Sequence, residues 1–365
     1  VGVTVLAAFR RREDPMQHMT FGRATGLRVS ELALGTGNFG TRWGSGAEPA
    51  QARKILDRFA EAGGTALDTA ESYQFGESEE ILGRLLAGTR SHFTIATKFG
   101  LGVAGDGGVL GTGNGRRSMA RAVEGSLARL GTDYLDLLWV HFPDAVTPVE
   151  EIMGGFDDLV RAGKILYGGL SNFPAWRAAR AATLAELRGL APLTGVQFEY
   201  SLVERTADRE ILPMAQALGL GAALWSPLGG GLLTGKYRTG SAGRLTDLGR
   251  LVHIEDEARK TAVVDALLAV AADLGVPPAR VATAWLREHA TRASTALVPI
   301  IGPRTIEQLD DYLAALDVRL DEAQYRRLDE VSRPDLGQPH DQDATQRAAT
   351  LGGDAAAFRS FLPVA

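Results

Sequence analysis

The chain has 365 residues, 45% apolar and 23% charged, an ordinary globular composition with material for a large core. A formal charge of −5 argues against nucleic acid as the main partner, and the lack of cysteine excludes disulfides and cysteine-bound metal. No window of about 18 unbroken apolar residues offers a spanning helix, so a cytoplasmic protein without a membrane partner is the simplest expectation.

Residues 1–18 begin VGVTVLAAFRRREDP, with charge after the apolar run rather than before it. That is the reverse of a secretory signal, and the segment reads as a disordered leader. Short apolar runs then alternate with amphipathic stretches. ELALGTG leads to the helix EPAQARKILDRFAEAG, TALDTA to ESEEILGRLLAG, HFTIATKF to SMARAVEGSLARLG, and YLDLLWVHF to TPVEEIMGGFDDLVRAG. ILYGGLS leads to PAWRAARAATLAELRG, TGVQFEY to DREILPMAQALG, GAALWSP to EARKTAVVDALLAVAADLG, and ALVPIIG to TIEQLDDYLAAL. Several of these helices open on Pro or an acid and close on Gly, as helix ends prefer.

Strict βα alternation, with strands rich in Val, Leu and Ile, predicts an α/β protein whose parallel sheet is buried on both faces. At this length a single (β/α)8 TIM barrel over residues 19–332 is favoured over an open doubly wound sheet. RLDEAQYRRLDEV (319–331) reads as one extra C-terminal helix, and 333–365 as an irregular C-terminal tail near the active site. Phe99–Gly115 is a long Gly-rich loop after the third strand.

Two motifs mislead. GTGNFG (Gly35–Gly40) matches G-x-G-x-x-G, but TRWGSGAEP follows it where a dinucleotide fold requires a helix. GGLLTGKY (Gly230–Tyr237) matches most of a P-loop, but Tyr237 stands where Ser or Thr would hold Mg²⁺. A Gly-rich loop with one lysine can still cradle a phosphate without a metal.

In a barrel of this kind, function collects at the C-terminal strand ends. Those ends carry Asp68, Lys98, His141, Ser171 with Asn172, Gln197, Trp225 with Ser226, and Gly302 with Arg304 close behind. Singly, each reads as a helix cap, a solvated end or a structural histidine. Together they ring one rim, and Tyr73 follows Asp68 on a loop that can reach over it. A phenol is a poor acid near neutrality, with a pKa of about 10. A nearby ammonium stabilises phenolate, and a carboxylate keeps that ammonium charged when partly buried. A histidine can fix a substrate oxygen. Such an ensemble makes Tyr73 a proton donor to a carbonyl oxygen that gains negative charge, which suits hydride addition with a cofactor as the hydride source.

These residues resemble the aldo-keto reductase family over about Phe21 to Val331, through LDTAESY, ATKFG, LLWVHFPD, GLSNF, VQFEYSL, LWSPLGGGLLTGKY and PIIGPRTIEQL in that order. The resemblance implies a bacterial NADPH-dependent carbonyl reductase related to the potassium-channel β-subunit branch. It places a catalytic tetrad on Asp68, Tyr73, Lys98 and His141. It implies NADPH across the barrel mouth, with NADH as a weaker second cofactor. Ser171, Asn172 and Gln197 would hold the nicotinamide carboxamide and Trp225 would stack on its ring. Ser226, Pro227, Leu228, Gly229, Gly231, Leu232 and Lys236 would wrap the pyrophosphate, with Gly35, Thr36, Gly37 and Asp68 also beside the cofactor. Arg304 and Gln308 would meet the 2′-phosphate, near Gly302, Asp311 and Tyr312. Tyr312 stands where many relatives have Asn, and Gly302 where some branches have Lys.

The substrate pocket is expected from Phe39, Trp43, Tyr73, His141, Phe142, the Phe99–Gly115 loop and the tail. Its content points to an apolar or a sugar-like small-molecule carbonyl compound, and association into a homo-oligomer stays open. A second function fits the same motifs: an NADPH-binding regulatory protein like the channel β-subunits. A metal-dependent barrel hydrolase ranks last, because His18, His92, His141, His253, His289 and His340 are scattered.

Overall fold

Eight short strands close into a barrel, every one parallel to its neighbours. They are β3 (Ala33–Gly35), β4 (Ala66–Asp68), β5 (Thr94–Phe99), β6 (Leu135–Val140), β7 (Ile165–Ser171), β8 (Leu193–Glu199), β9 (Gly221–Trp225) and β10 (Leu297–Ile301). With helices around them they form the (β/α)8 TIM barrel that the alternation predicts. The structure, a computed structural model, describes residues 16–103, 108–239, 253–354 and 356. Residues 1–15 of the leader, 104–107 of the Gly-rich loop, and 355 and 357–365 of the tail lie outside them.

Each coat helix presents one apolar stripe to the barrel. In α1 (Pro49–Glu61) the buried residues are Ala52, Ile55, Leu56, Phe59 and Ala60, spaced by three and four as one helix face requires. Proline opens that helix at its first turn, where its missing N–H costs nothing. Gly131 (φ 62) closes α3 (Arg116–Leu130) in the left-handed conformation that residues with a Cβ avoid.

Side chains alternate along each strand, and this carries the sequence directly to the site. Ala66, Ala96, Leu137, Trp139 and Ala223 belong to the cluster inside the barrel. Two residues further along the same faces stand Asp68, Lys98, His141 and Trp225. Small residues at the bottom make room for large ones. A Cβ on Gly169 would strike the ring of Trp139, and Cβ atoms on Gly195 and Gly221 would come within 2.5–2.8 Å of the Phe21 ring. Phe21 stands edge-on to Trp139 with centroids 6.1 Å apart.

Phe21 is carried by an antiparallel hairpin, β1 (His18–Thr20) with β2 (Arg28–Ser30), that the sequence reading lacks. Its strands are three residues each, too short to show alternation. Met16 is buried and its N–H donates to the carbonyl of Ala62 at 3.1 Å. The described chain therefore takes in three residues, 16–18, of the segment read as a leader.

Two further expectations are corrected. Strict alternation fails between β9 and β10, where two helices lie in succession, α7 (Ala258–Leu274) and α8 (Pro278–Thr291). Pro277 caps the second helix and Pro278 opens it, where its missing N–H costs nothing. The tail is not irregular throughout, because His340–Thr350 is a helix. None of its residues is buried, so it lacks the apolar stripe by which a helix is read from sequence. His340 meets Glu210 at 3.0 Å, and Arg209 donates to the carbonyl of Gln338 at 2.9 Å. The helix at Glu322–Ser332 matches the extra helix expected at 319–331.

Among the described residues no single helix is long and apolar enough to cross a membrane.

Candidate active site

Lys98 is the centre of the constellation. It sits near the end of β5, 1% exposed, and each of its three ammonium protons has an acceptor. One goes to Asp68 Oδ1 in a short ion pair, one to the carbonyl of Thr69 at 2.9 Å, and one to the hydroxyl oxygen of Tyr73 at 3.0 Å. Burial alone pushes a lysine down, but Asp68 and then Tyr73 outweigh it, so Lys98 titrates above its ordinary value and stays charged. Asp68 is completed by Gln197, whose Nε2 donates to Oδ2 at 2.9 Å. Sequence positions 68, 73, 98 and 197 are thus joined in one buried network.

His141 follows β6 and packs edge-on against Tyr73, with ring centroids 5.8 Å apart. Burial, and secondly the Lys98 ammonium, lower its pKa from 6.5 to about 2. It is therefore neutral at physiological pH. Unfolded His141 binds a proton below about pH 6.5 and the folded form does not, so stability falls as pH drops below that point. At pH 4.5 the loss is roughly 2–3 kcal/mol. His141→Gln should shrink the fall in thermal midpoint between pH 7 and pH 4.5. Equal falls in the two proteins would show that His141 does not carry this acid sensitivity.

Asn172 adopts a left-handed backbone (φ 60), and its amide group joins three elements. Nδ2 donates to the carbonyl of His141 and to Ser171 Oγ, both at 3.0 Å, while Oδ1 accepts the indole N–H of Trp225 at 3.1 Å. Trp225 ends β9 with its ring half-buried and its orientation pinned. After it the chain turns through Ser226 (φ 59), which accepts the N–H of Gly229 on its carbonyl and that of Gly230 on Oγ. Gly230 (φ 64) and Gly231 (φ 101) take conformations that favour glycine. A Cβ on Gly231 would lie 3.4 Å from Lys236 Cε, in the hollow between the loop and the lysine. Pro227 and Leu232 are buried beneath, while Leu228 and Lys236 are half-buried.

At the next rim position Gln308 Oε1 accepts the backbone N–H of Arg304 at 2.8 Å, and Thr305 caps the following helix, Ile306–Ala314. Asp311 is held by Arg280 at 2.9 Å, Tyr312 packs against the core, and Gly302 accepts the side-chain N–H of Asn38 at 2.8 Å.

Four further expected residues lie at the end of β3 and in the loop that follows it. Phe39 is fully buried in the core, where the turn that returns its N–H to Thr36 at 2.8 Å points the residue inward. Thr36 is buried too, its hydroxyl 2.8 Å from Ser78 Oγ and its N–H on the carbonyl of Asp68. It braces the end of β4. A Cβ on Gly35 would lie 2.7 Å from Ile300, so that glycine answers to packing. Gly37 faces the Tyr73 ring, where a Cβ would stand 3.6 Å away.

Trp43, 46% exposed, and Phe142, 43% exposed, stand beside the Tyr73 and His141 rings. Trp43 is edge-on to Tyr73 at 6.1 Å and Phe142 is stacked on His141 at 4.9 Å. The rings run Trp43, Tyr73, His141, Phe142 in one series.

Sequence reading missed the residues that hold the loops. Glu71 Oε1 accepts the N–H groups of Gly100 and Gly102, both at 2.9 Å, and burial raises its pKa. Asn114 and Asp144 exchange backbone–side-chain hydrogen bonds at 2.8 Å in both directions, and Asn114 Nδ2 donates to the carbonyl of Phe142 at 3.0 Å. Glu71 was visible inside LDTAESY, but nothing in its spacing says what it accepts from.

The model of the aldo/keto reductase family matches residues 31–333. An uncharacterized oxidoreductase of Bacillus subtilis is 38% identical, covering 87% of this chain and 96% of its own. A norsolorinic acid reductase of Aspergillus flavus is 34% identical over 88% of this chain and 82% of its own. A putative aryl-alcohol dehydrogenase of Saccharomyces cerevisiae is 32% identical over 94% and 91%.

Proposed function

The chain belongs to the aldo/keto reductase family, and from that premise we propose that it is an NADPH-dependent reductase of aryl aldehydes and ketones with Tyr73 as the acid. One observation carries the reading. Lys98, its charge held by Asp68, donates to the Tyr73 oxygen at 3.0 Å. With an ammonium on its lone pair, the phenol has its own proton left to give, and the phenolate that results is stabilised at once.

The residues present suit the cofactor. Gly229–Gly231 and Lys236 would take the pyrophosphate, Arg304 with Gln308 the 2′-phosphate, and Trp225 with Ser171, Asn172 and Gln197 the nicotinamide. Bound NADPH supplies a hydride to the carbonyl carbon. His141, neutral and with no acceptor at Nδ1 among the described residues, is free to carry its proton on Nε2 and donate to the carbonyl oxygen. That contact aims the oxygen at Tyr73, which protonates it as charge develops. The aromatic rims at Trp43 and Phe142 favour a flat apolar substrate over a sugar, in keeping with the aryl-alcohol name of one relative. The relatives' oxidoreductase names favour turnover over a purely regulatory role.

Purified protein with NADPH and a panel of aryl aldehydes, aryl ketones, diketones and sugar aldehydes tests this by loss of NADPH absorbance. Oxidation fastest with aryl carbonyls is expected. Tight NADPH binding with no oxidation by any carbonyl would leave the regulatory role instead. Arg304→Ala should weaken NADPH roughly 10–100-fold, the worth of charge-assisted hydrogen bonds to a phosphate, and NADH by less than about threefold. Equal losses for both cofactors would move the 2′-phosphate away from Arg304.

A further inference from the structure

Tyr73 is followed by two non-glycine residues in the left-handed region, Gln74 (φ 50) and Phe75 (φ 54). A bulky residue there is an outlier. Phe75 is 43% exposed, so burial of its ring does not offset the strain. The segment is held by Gln74, which is 1% exposed. Its Nε2 donates to the carbonyls of Ser45 at 3.0 Å and Gly37 at 3.3 Å, and its Oε1 accepts the backbone N–H of Trp43 at 2.7 Å. All three partners lie on one loop, the loop that carries Trp43. Trp43 is nearly half exposed, with its ring edge-on to Tyr73 and, at 6.3 Å, to Phe75. Packing therefore gives Trp43 little support of its own.

We infer that Gln74 is a positioning residue that sets selectivity for aryl substrates. Its carboxamide ties the Trp43 loop to the acid-bearing loop, so that the indole stays at a fixed place beside the Tyr73 hydroxyl. The left-handed backbone is the conformation that aims the carboxamide into that loop. Loss of this tie frees Trp43 and removes one end of the ring series, while the Asp68–Lys98–Tyr73 network stands on other bonds. The inference rests on reading the site as a carbonyl reductase.

Two variants of the NADPH-loaded protein test it. Gln74→Gly removes the tie and adopts φ 50 without backbone strain, and a thermal melt checks that the variant is folded at the assay temperature. Gln74→Glu keeps the acceptor for Trp43 but cannot donate to the two carbonyls. In Gln74→Gly the KM for naphthaldehyde should rise about tenfold or more while kcat falls less than about threefold. The ratio of kcat/KM for naphthaldehyde to that for propanal should fall about tenfold, with Gln74→Glu in between. Hydrogen exchange at the Trp43 amide should quicken in the Gly variant and stay slow in the Glu variant. An unchanged selectivity ratio, or a loss confined to kcat and equal for both aldehydes, overturns the inference.

If wild-type protein turns over neither aldehyde, the reductase reading fails separately, and calorimetric binding of naphthaldehyde reads Gln74 instead. Binding about tenfold weaker in Gln74→Gly supports its role. Equal binding, or none to the wild type, overturns it.

Discussion

Replacing Tyr73 by Phe is expected to slow carbonyl reduction about a thousandfold while NADPH affinity holds, because general acid catalysis by one positioned group is worth that much. The variant is informative because so little else changes. The ring keeps its edge contacts with Trp43 and His141. Lys98 keeps Asp68 and the Thr69 carbonyl, losing only its bond to the phenol. That loss should cost about 1 kcal/mol of stability. Steady-state rates with an aryl aldehyde, beside a cofactor titration, give the answer. A rate within a few-fold of wild type would remove Tyr73 as the acid.

Lys98→Met is expected to strike harder, on stability as well as rate. It leaves the Asp68 carboxylate buried with Gln197 as its side-chain partner. Removing one member of a buried ion pair costs roughly 3–5 kcal/mol, because the remaining charge is uncompensated. The folded protein should also lose reduction about as severely as Tyr73→Phe, since nothing then stabilises the phenolate. The double variant Asp68→Asn with Lys98→Met replaces the pair by neutral groups and should regain most of the stability without the activity. Urea denaturation compares the three proteins. A single variant as stable as wild type would mean that the pair is not tightly coupled, and a double variant no better than the single would locate the damage in packing.

The alternation of strand side chains explains why so much of this site was legible. Asp68, Lys98 and Trp225 continue the inward-facing positions of Ala66, Ala96 and Ala223, so placing the strands correctly places the chemistry. What escaped was set by long-range contact. Phe39 and Trp43 look alike as aromatics on one loop, yet a single turn buries the first and exposes the second. Helix α8 carried a visible signal in Val281, Ala282, Trp285 and Leu286, all buried and spaced as a helix face, but an alternation of one helix per strand left no place for it. The β1–β2 hairpin had no period to show. Gln74 and Asn114 act through carboxamides bonded to backbone, and backbone partners leave no mark in a sequence.

The most direct test of the central claim is the fate of the hydride. Wild-type protein loaded with NADPH deuterated at the reactive nicotinamide carbon is incubated with an aryl aldehyde, and the alcohol is examined by mass spectrometry. A single deuterium on the carbinol carbon is expected. Tight cofactor binding with no labelled alcohol from any carbonyl tried would contradict it.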